Sequence, residues 1–163
     1  MRAEDKNMSD KTDSDKIERA TRMARKFIEA IPHASALAMR IDEMGAGRVR
    51  LSMPYDLRFV GDPQTGVIHG GAVSALLDTA SGAAVMAHPD QPGTTATINL
   101  RIDYLRAATP GQRIAAVAEC YHITRSVAFI RASAIDEDET RPVAVANGTF
   151  AVDNRIGDSR EKA

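Results

Sequence analysis

The sequence predicts an α+β fold in which a curved antiparallel sheet of about six strands wraps one long central helix, with a further helix at the N-terminal side. Two observations carry this expectation. The stretch from Gly70 to His88 is rich in Ala, Leu and other small residues and is followed by Pro89, so it reads as one buried helix starting at a glycine pair. After it come four stretches of alternating apolar and polar residues, separated only by short polar turns. Strands joined this closely pair antiparallel, because a parallel pair needs a long crossover. A doubly wound fold is excluded, since no helix separates those last four strands.

Each element follows from local pattern. Residues 1–16 are polar and charged and are expected to form a disordered extension. The domain proper is expected over 17–153, and 154–163 as a flexible tail. Ile17, Ala20, Met23 or Ala24, Phe27, Ile28 and Ile31 recur at helical spacing, and Pro32 ends the run. Ala36 to Asp42 reads as a strand, Gly45-Ala46-Gly47 as a turn, and Arg48 to Met53 as a second strand with Val49, Leu51 and Met53 on one face. Pro54 to Ile68, with two prolines and two glycines, reads mostly as loop. The four later strands are expected near Thr94–Leu105, Arg113–Ile123, Ser126–Asp136 and Pro142–Val152; in the first, Ile98, Leu100, Ile102 and Tyr104 alternate.

Size and charge narrow the function. A chain of 163 residues suits one core. A net charge of -1 provides no field for nucleic acid or an anionic membrane. The apolar runs are too short to span a bilayer, and the N-terminal residues lack a signal-peptide core, so the cytoplasm is the expected location. Cys120, the one cysteine, lies in a strand-like stretch and is expected to be a small buried hydrophobe. His33, His88 and His122 have no metal-ligand spacing with nearby acids or Cys120, so no metal is expected. Ser74, Ser81 and Ser126 lack the G-x-S-x-G context of an α/β-hydrolase.

Asp78 stands out chemically. It sits in the middle of the most apolar helix, with Ser74, Ala75, Ser81 and Gly82 at the neighbouring helical positions and no cation among them. A buried, unpaired carboxylate costs several kcal/mol or is pushed toward its neutral form. Such a group is either kept for chemistry or lies on a narrow solvent-facing stripe with Ser74 and Ser81. Directly before the helix stands His69-Gly70-Gly71. A helix N-terminus presents unpaired N–H groups, and glycine lets a ligand approach them. A thioester carbonyl placed there would be polarised. Asp78 lies eight residues beyond Gly70, a rise of about 12 Å. One chain cannot easily bring both to one carbon atom, which suggests a site shared by Gly70 of one subunit and Asp78 of another.

The segment VIHGGAVSALLDTASGAAV resembles the HGG-x6-D signature of the PaaI-like (phenylacetyl-CoA thioesterase-like) hotdog family, supported by GDPQTGVIHGG, TINLRIDYLRAATPG and ITRSVAFIRA. The resemblance runs from about Phe27 to Val152. It implies an acyl-CoA thioesterase in which Asp78 attacks the thioester or activates water, the Gly70 N–H polarises the carbonyl, Gly71 flanks it, His69 orients the loop and Thr97 helps to hold the water. It also implies a homodimer or homotetramer with sites at the dimer interface. Relatives often carry an Asn six residues before the HGG histidine; here that position is Pro63, beside Asp62, which either supplies a comparable group or is a plain turn residue.

CoA would enter as part of the substrate, with no cofactor. Arg106 and Arg125 are candidates for its phosphates, Arg101 a weaker one, because the guanidinium fork suits phosphate. Phe59 and Val60 are expected at the acyl pocket, alongside Leu77 and Met86, which equally suit plain core. An aromatic content of 4% favours an aliphatic or a single small aromatic acyl group. Rival functions on the same fold are an enoyl-thioester hydratase or dehydratase and a non-catalytic acyl-CoA-binding module. Neither calls for nucleic acid or membrane.

Overall fold

The computed structural model of the chain describes residues 3–90 and 94–153. Helix α1 spans Ala3–Glu29 and a short helix α2 spans Pro32–Ala36. Strands β1 (Arg40–Gly45) and β2 (Arg48–Met53) form a hairpin, and β3 (Val60–Asp62) and β4 (Val67–Ile68) form a smaller one. Helix α3 covers Gly70–Met86. Four long strands follow: β5 (Thr94–Tyr104), β6 (Ile114–Ile123), β7 (Val127–Ile135) and β8 (Ala144–Asp153). Six strands form one antiparallel sheet in the order β1-β2-β6-β7-β8-β5.

Helix α3 lies on one face of this sheet, against β2, β5, β6 and β7. Leu76, Leu77, Ala80 and Val85 are fully buried there, and Leu51, Met53, Ile114, Ile130 and Phe150 are buried from the sheet side. Each of the larger side chains contributes about 1.5–3 kcal/mol by leaving water. A sheet packed around one long helix in this way is the hotdog fold, as the sequence leads one to expect.

Local chemistry explains the joints. The β1–β2 turn places both Ala46 (φ 48°) and Gly47 (φ 77°) in the left-handed region, as a tight hairpin requires. The Gly47 N–H then donates to the Ala87 carbonyl and its own carbonyl accepts from Cys120 N–H, tying the hairpin to the end of α3.

Four expectations need correction. Helix α1 begins at Ala3, inside the segment expected to be disordered, because adding residues to an established helix costs far less than nucleating one. Its buried stripe is Ala20, Ala24 and Ile28, whose small members let α1 approach α3 closely; Met23 and Phe27 flank it and remain 40% and 43% exposed. Pro32 ends α1 but also starts α2, where a missing N–H is harmless, so the strand expected from Ala36 starts only at Arg40. The stretch Pro54–Ile68 is not wholly loop: a 3-10 turn at Leu57–Phe59 leads into the β3–β4 hairpin. The tail 154–163 lies outside the described residues.

Candidate functional site

The N-terminus of α3 is set by His69, the residue that caps it. The His69 Nδ1 accepts a hydrogen bond from the Gly71 N–H at 2.9 Å, so a neutral ring carries its proton on Nε2. The Ala72 N–H donates to the His69 carbonyl at 3.0 Å. The Gly70 N–H has no acceptor among the described residues. Of the two glycines in the motif, Gly70 therefore holds the donor free for a ligand, and Gly71 holds one already used by the cap.

The β3–β4 hairpin presses on this turn. The His69 N–H donates to the Phe59 carbonyl at 2.8 Å. A Cβ on Gly61 would stand 2.8 Å from the His69 Cα, so only glycine permits that contact. Phe59 and Val60 are half-buried here, with Phe59 packed on the core and the Arg58 guanidinium over its ring. Tyr55 anchors the hairpin tip by donating to the Gly66 carbonyl at 2.8 Å.

Asp78 lies two turns along α3 and is half-buried. It is neither sealed in apolar surroundings nor unpaired: the Thr97 Oγ1 donates to its Oδ1 at 2.8 Å. This contact depends on a β-bulge. Thr97 pairs with Phe150 and Asn99 with Thr149, leaving Ile98 as the extra residue. The Phe150 ring lies beneath Gly82 of α3, so Thr97, opposite Phe150, faces the helix. Beyond the bulge, Leu100 and Ile102 pack on the core and Tyr104 reaches α3. The bulge thus switches the parity of the strand, letting Thr97 and Tyr104 face α3 although an odd number of positions separates them. The single alternating face expected over Ile98, Leu100, Ile102 and Tyr104 is corrected on this point: Ile98 is 59% exposed.

Two residues were not singled out from sequence. The Tyr104 hydroxyl donates to the Gly70 carbonyl at 2.6 Å and lies 2.7 Å from the Ser74 Oγ, which itself stands 3.1 Å from the same carbonyl. The position of Ser74 one turn after Gly70 was the available signal; nothing local pointed to Tyr104. Ser74 and Asp78 lie on the side of α3 that meets β5, whereas Ser81 is fully buried with its Oγ unbonded among the described residues.

Other candidates fare differently. Asp62 turns its carboxylate into its own loop, accepting from the Gln64 N–H and the Thr65 hydroxyl, which hold it below the usual carboxylate range. It is a turn residue. Arg106 is spent inside the fold: its guanidinium forms two 2.7 Å bonds to the buried Asp136 and others to the Arg141 and Ala107 carbonyls. A side chain so committed cannot reach out to a phosphate, which corrects that expectation. Arg101 pairs with Asp103 along the strand. Arg125 is exposed in the β6–β7 turn and has no side-chain partner among the described residues. Leu77 is plain core, and Met86 is buried at the end of α3.

Comparisons with known proteins give the family and the fold. The family model described as "Thioesterase superfamily" matches residues 65–143, which contain α3, Asp78 and Thr97. A Halobacterium salinarum protein named "Putative esterase VNG_1336C" is 30% identical, covering 82% of this chain and 92% of its own. The Escherichia coli protein YigI, named a medium/long-chain acyl-CoA thioesterase, is 24% identical over 77% of this chain and 88% of its own. Among solved structures, the E. coli PaaI protein of the phenylacetic acid degradation operon superposes with a TM-score of 0.75 at 22% identity, covering 83% of this chain and 94% of that one.

Proposed function

The chain belongs to the thioesterase superfamily, and from that premise we propose that it hydrolyses an acyl-CoA to the free acid and CoA. Asp78 acts as general base or nucleophile, and the Gly70 N–H of a second subunit polarises the carbonyl. The observation that carries this reading is the pairing, on one helix, of a free N–H at the amino end with a hydroxyl-held carboxylate two turns on.

In the general-base form, Asp78 removes a proton from water as the water oxygen attacks the carbonyl carbon. The tetrahedral oxyanion forms against the Gly70 N–H and the positive end of the helix. Its collapse breaks the C–S bond, and the proton passes from Asp78 to the CoA sulfur. In the nucleophilic form, an Asp78 oxygen attacks first, CoA thiolate leaves, and water then cleaves the mixed anhydride. Thr97 holds the carboxylate in either case. Neither form needs a cofactor.

A dimer through β5 reconciles the two groups. This strand is one of the two sheet edges, and it carries the exposed apolar Ile98 and Tyr104, with Leu105 just beyond. Free edges of this kind are prone to pair with another strand. Pairing β5 with its copy brings each α3 N-terminus toward the other subunit's Asp78 and forms two sites. A tetramer would join two such dimers. Phe59 and Val60, beside His69, suit the acyl group, and Arg125, exposed and without a side-chain partner among the described residues, is a cation available for a CoA phosphate. The name of YigI supports including medium and long acyl chains among the substrates. An enzyme of this kind would work in the cytoplasm; among the described residues, no helix is long and apolar enough to cross a membrane.

The test is thiol release from a panel of medium-chain, long-chain and arylacetyl-CoA substrates. Turnover by the wild type that falls by at least about 100-fold in Asp78→Asn, with an unchanged melting temperature, is the expected result. Turnover that survives in Asp78→Asn refutes the role of Asp78, and binding without turnover by the wild type refutes hydrolysis.

A further inference from the structure

Glycine is the residue least able to hold its own φ and ψ, yet the proposed reaction asks the Gly70 N–H to keep one direction. The two peptides flanking the Gly70 Cα are both held by hydrogen bonds. Upstream, the His69 carbonyl accepts from the Ala72 N–H at 3.0 Å. Downstream, the Gly70 carbonyl accepts the Tyr104 hydroxyl at 2.6 Å and faces the Ser74 Oγ at 3.1 Å, while the same peptide's N–H, on Gly71, is held by His69 Nδ1 at 2.9 Å.

We propose that Tyr104, assisted by Ser74, is a positioning residue that clamps the Gly70–Gly71 peptide and so fixes the Gly70 backbone, keeping the free N–H on the other side of its Cα aimed at the thioester oxygen. The proposal rests on the thioesterase reading above. Three observations point this way. The Tyr104–Gly70 bond is short, and it comes from β5, an element far from the helix in sequence. It is also backed by a second hydroxyl, because Tyr104 and Ser74 lie 2.7 Å apart and share one carbonyl. Finally, Tyr104 packs tightly against Gly70: a Cβ there would lie 3.3 Å from the Tyr104 oxygen. Glycine at 70 therefore leaves room for the clamp as well as for the ligand.

The same strand carries Thr97, bonded to Asp78. Strand β5 thus fastens both the donor and the carboxylate of one subunit. In a dimer with shared sites these two groups serve different sites, so one strand would set the geometry of both. A donor fixed in advance does not have to be ordered as charge develops on the oxygen, and this advantage appears in kcat rather than in substrate binding.

The test compares wild type, Tyr104→Phe and Ser74→Ala as full-length protein, measuring kcat, KM and the pH dependence of kcat with the best acyl-CoA of the panel. Tyr104→Phe keeps the ring and removes one hydrogen bond, so kcat should fall about tenfold with KM within about twofold of wild type. Ser74→Ala should show a smaller fall with the same division, and it carries the test if Tyr104→Phe does not fold. Both variants should keep the wild-type pH limbs. An unchanged kcat, or a raised KM with kcat intact, overturns the clamp. A pH limb lost in Tyr104→Phe also overturns it, since the phenol would then be transferring a proton. A wild type inactive on every acyl-CoA removes the thioesterase reading and this inference together; an active wild type with unaffected variants removes this inference alone.

Discussion

Gly148 on β8 and Asn99 on β5 meet so closely that a Cβ on Gly148 would stand 2.5 Å from the Asn99 carbonyl oxygen. The contact lies at the Ile98 bulge, where β5 carries one residue more than its partner. Glycine at 148 is thus a condition of the bulge, and the bulge is a condition of Thr97 reaching Asp78. A position in the neighbouring strand controls the aim of Thr97, the one side chain among the described residues that hydrogen-bonds the Asp78 carboxylate.

Gly148→Ala should therefore act on the site as well as on the fold. The backbone must shift to relieve the clash, at a cost of about 1–3 kcal/mol, and the Thr97–Asp78 bond should weaken or break. Chemical denaturation should show the loss of stability. Thiol release should show a fall in kcat comparable to that of Thr97→Val, and the double variant should lose less than the sum of the two effects. Additive losses would mean that Gly148 does not act through Thr97.

Shared sites make a distinctive prediction for mixed dimers. Gly70→Pro removes the polarising N–H at the first helical position, which the helix itself tolerates although the added ring crowds the Tyr104 hydroxyl, and Asp78→Asn removes the carboxylate. Each variant alone should be nearly inactive. When the two are unfolded and refolded together, heterodimers should regain turnover through the one site that draws Gly70 from one chain and Asp78 from the other. No recovery in proven heterodimers would place both groups of a site in the same subunit. Ile98→Lys, on the exposed edge of β5, should shift the protein toward monomer in sedimentation experiments and reduce turnover with it.

Asp136 sets the acid stability. Arg106, the Thr109 hydroxyl and the N–H groups of Thr109 and Asp138 all bond its carboxylate, and the guanidinium beside it holds it well below the usual range. A depressed folded value means that its contribution is complete above the unfolded aspartate value near 3.9 and is lost as the pH falls from about 5 toward and through the folded value. Urea titrations should show Asp136→Asn less stable than wild type at pH 7, with the gap closing in acid. Arg106→Met, which strands the buried carboxylate, should cost about 3 kcal/mol at pH 7, while KM for acyl-CoA changes little. A large rise in KM in folded Arg106→Met would restore that arginine as a phosphate contact.

Cys120 should be silent in the native protein. It is 4% exposed, and burial pushes its thiol up to about 11. Thiolate is the reactive form, so alkylation at pH 8 should be slow and should accelerate to the free-cysteine rate in denaturant. Fast native labelling would show that β6 opens locally. The same inertness lets a thiol reagent report released CoA with little background from the enzyme.

The site was partly legible before any fold was known. His69 caps the helix that holds Gly70, Gly71 and Asp78, and helical spacing relates them by local geometry alone. The helix itself and the later strands came from apolar periodicity, which a single element displays without its neighbours. Arg48–Met53 appears as a strand with the very bounds its alternation suggests.

What local pattern could not contain was anything that depends on a distant partner. The bulge at Ile98 exists only relative to β8, so alternation in β5 alone placed Ile98 on the wrong face. Arg106 looked available for phosphate until Asp136, far along the chain, took up its guanidinium. Tyr104 acquired its place at Gly70 only when β5 was laid beside α3. Periodicity is a property of one segment and can be read along the chain; register, ion pairing and a hydroxyl's choice of carbonyl belong to pairs of segments, and these are chosen when the core closes and brings them together.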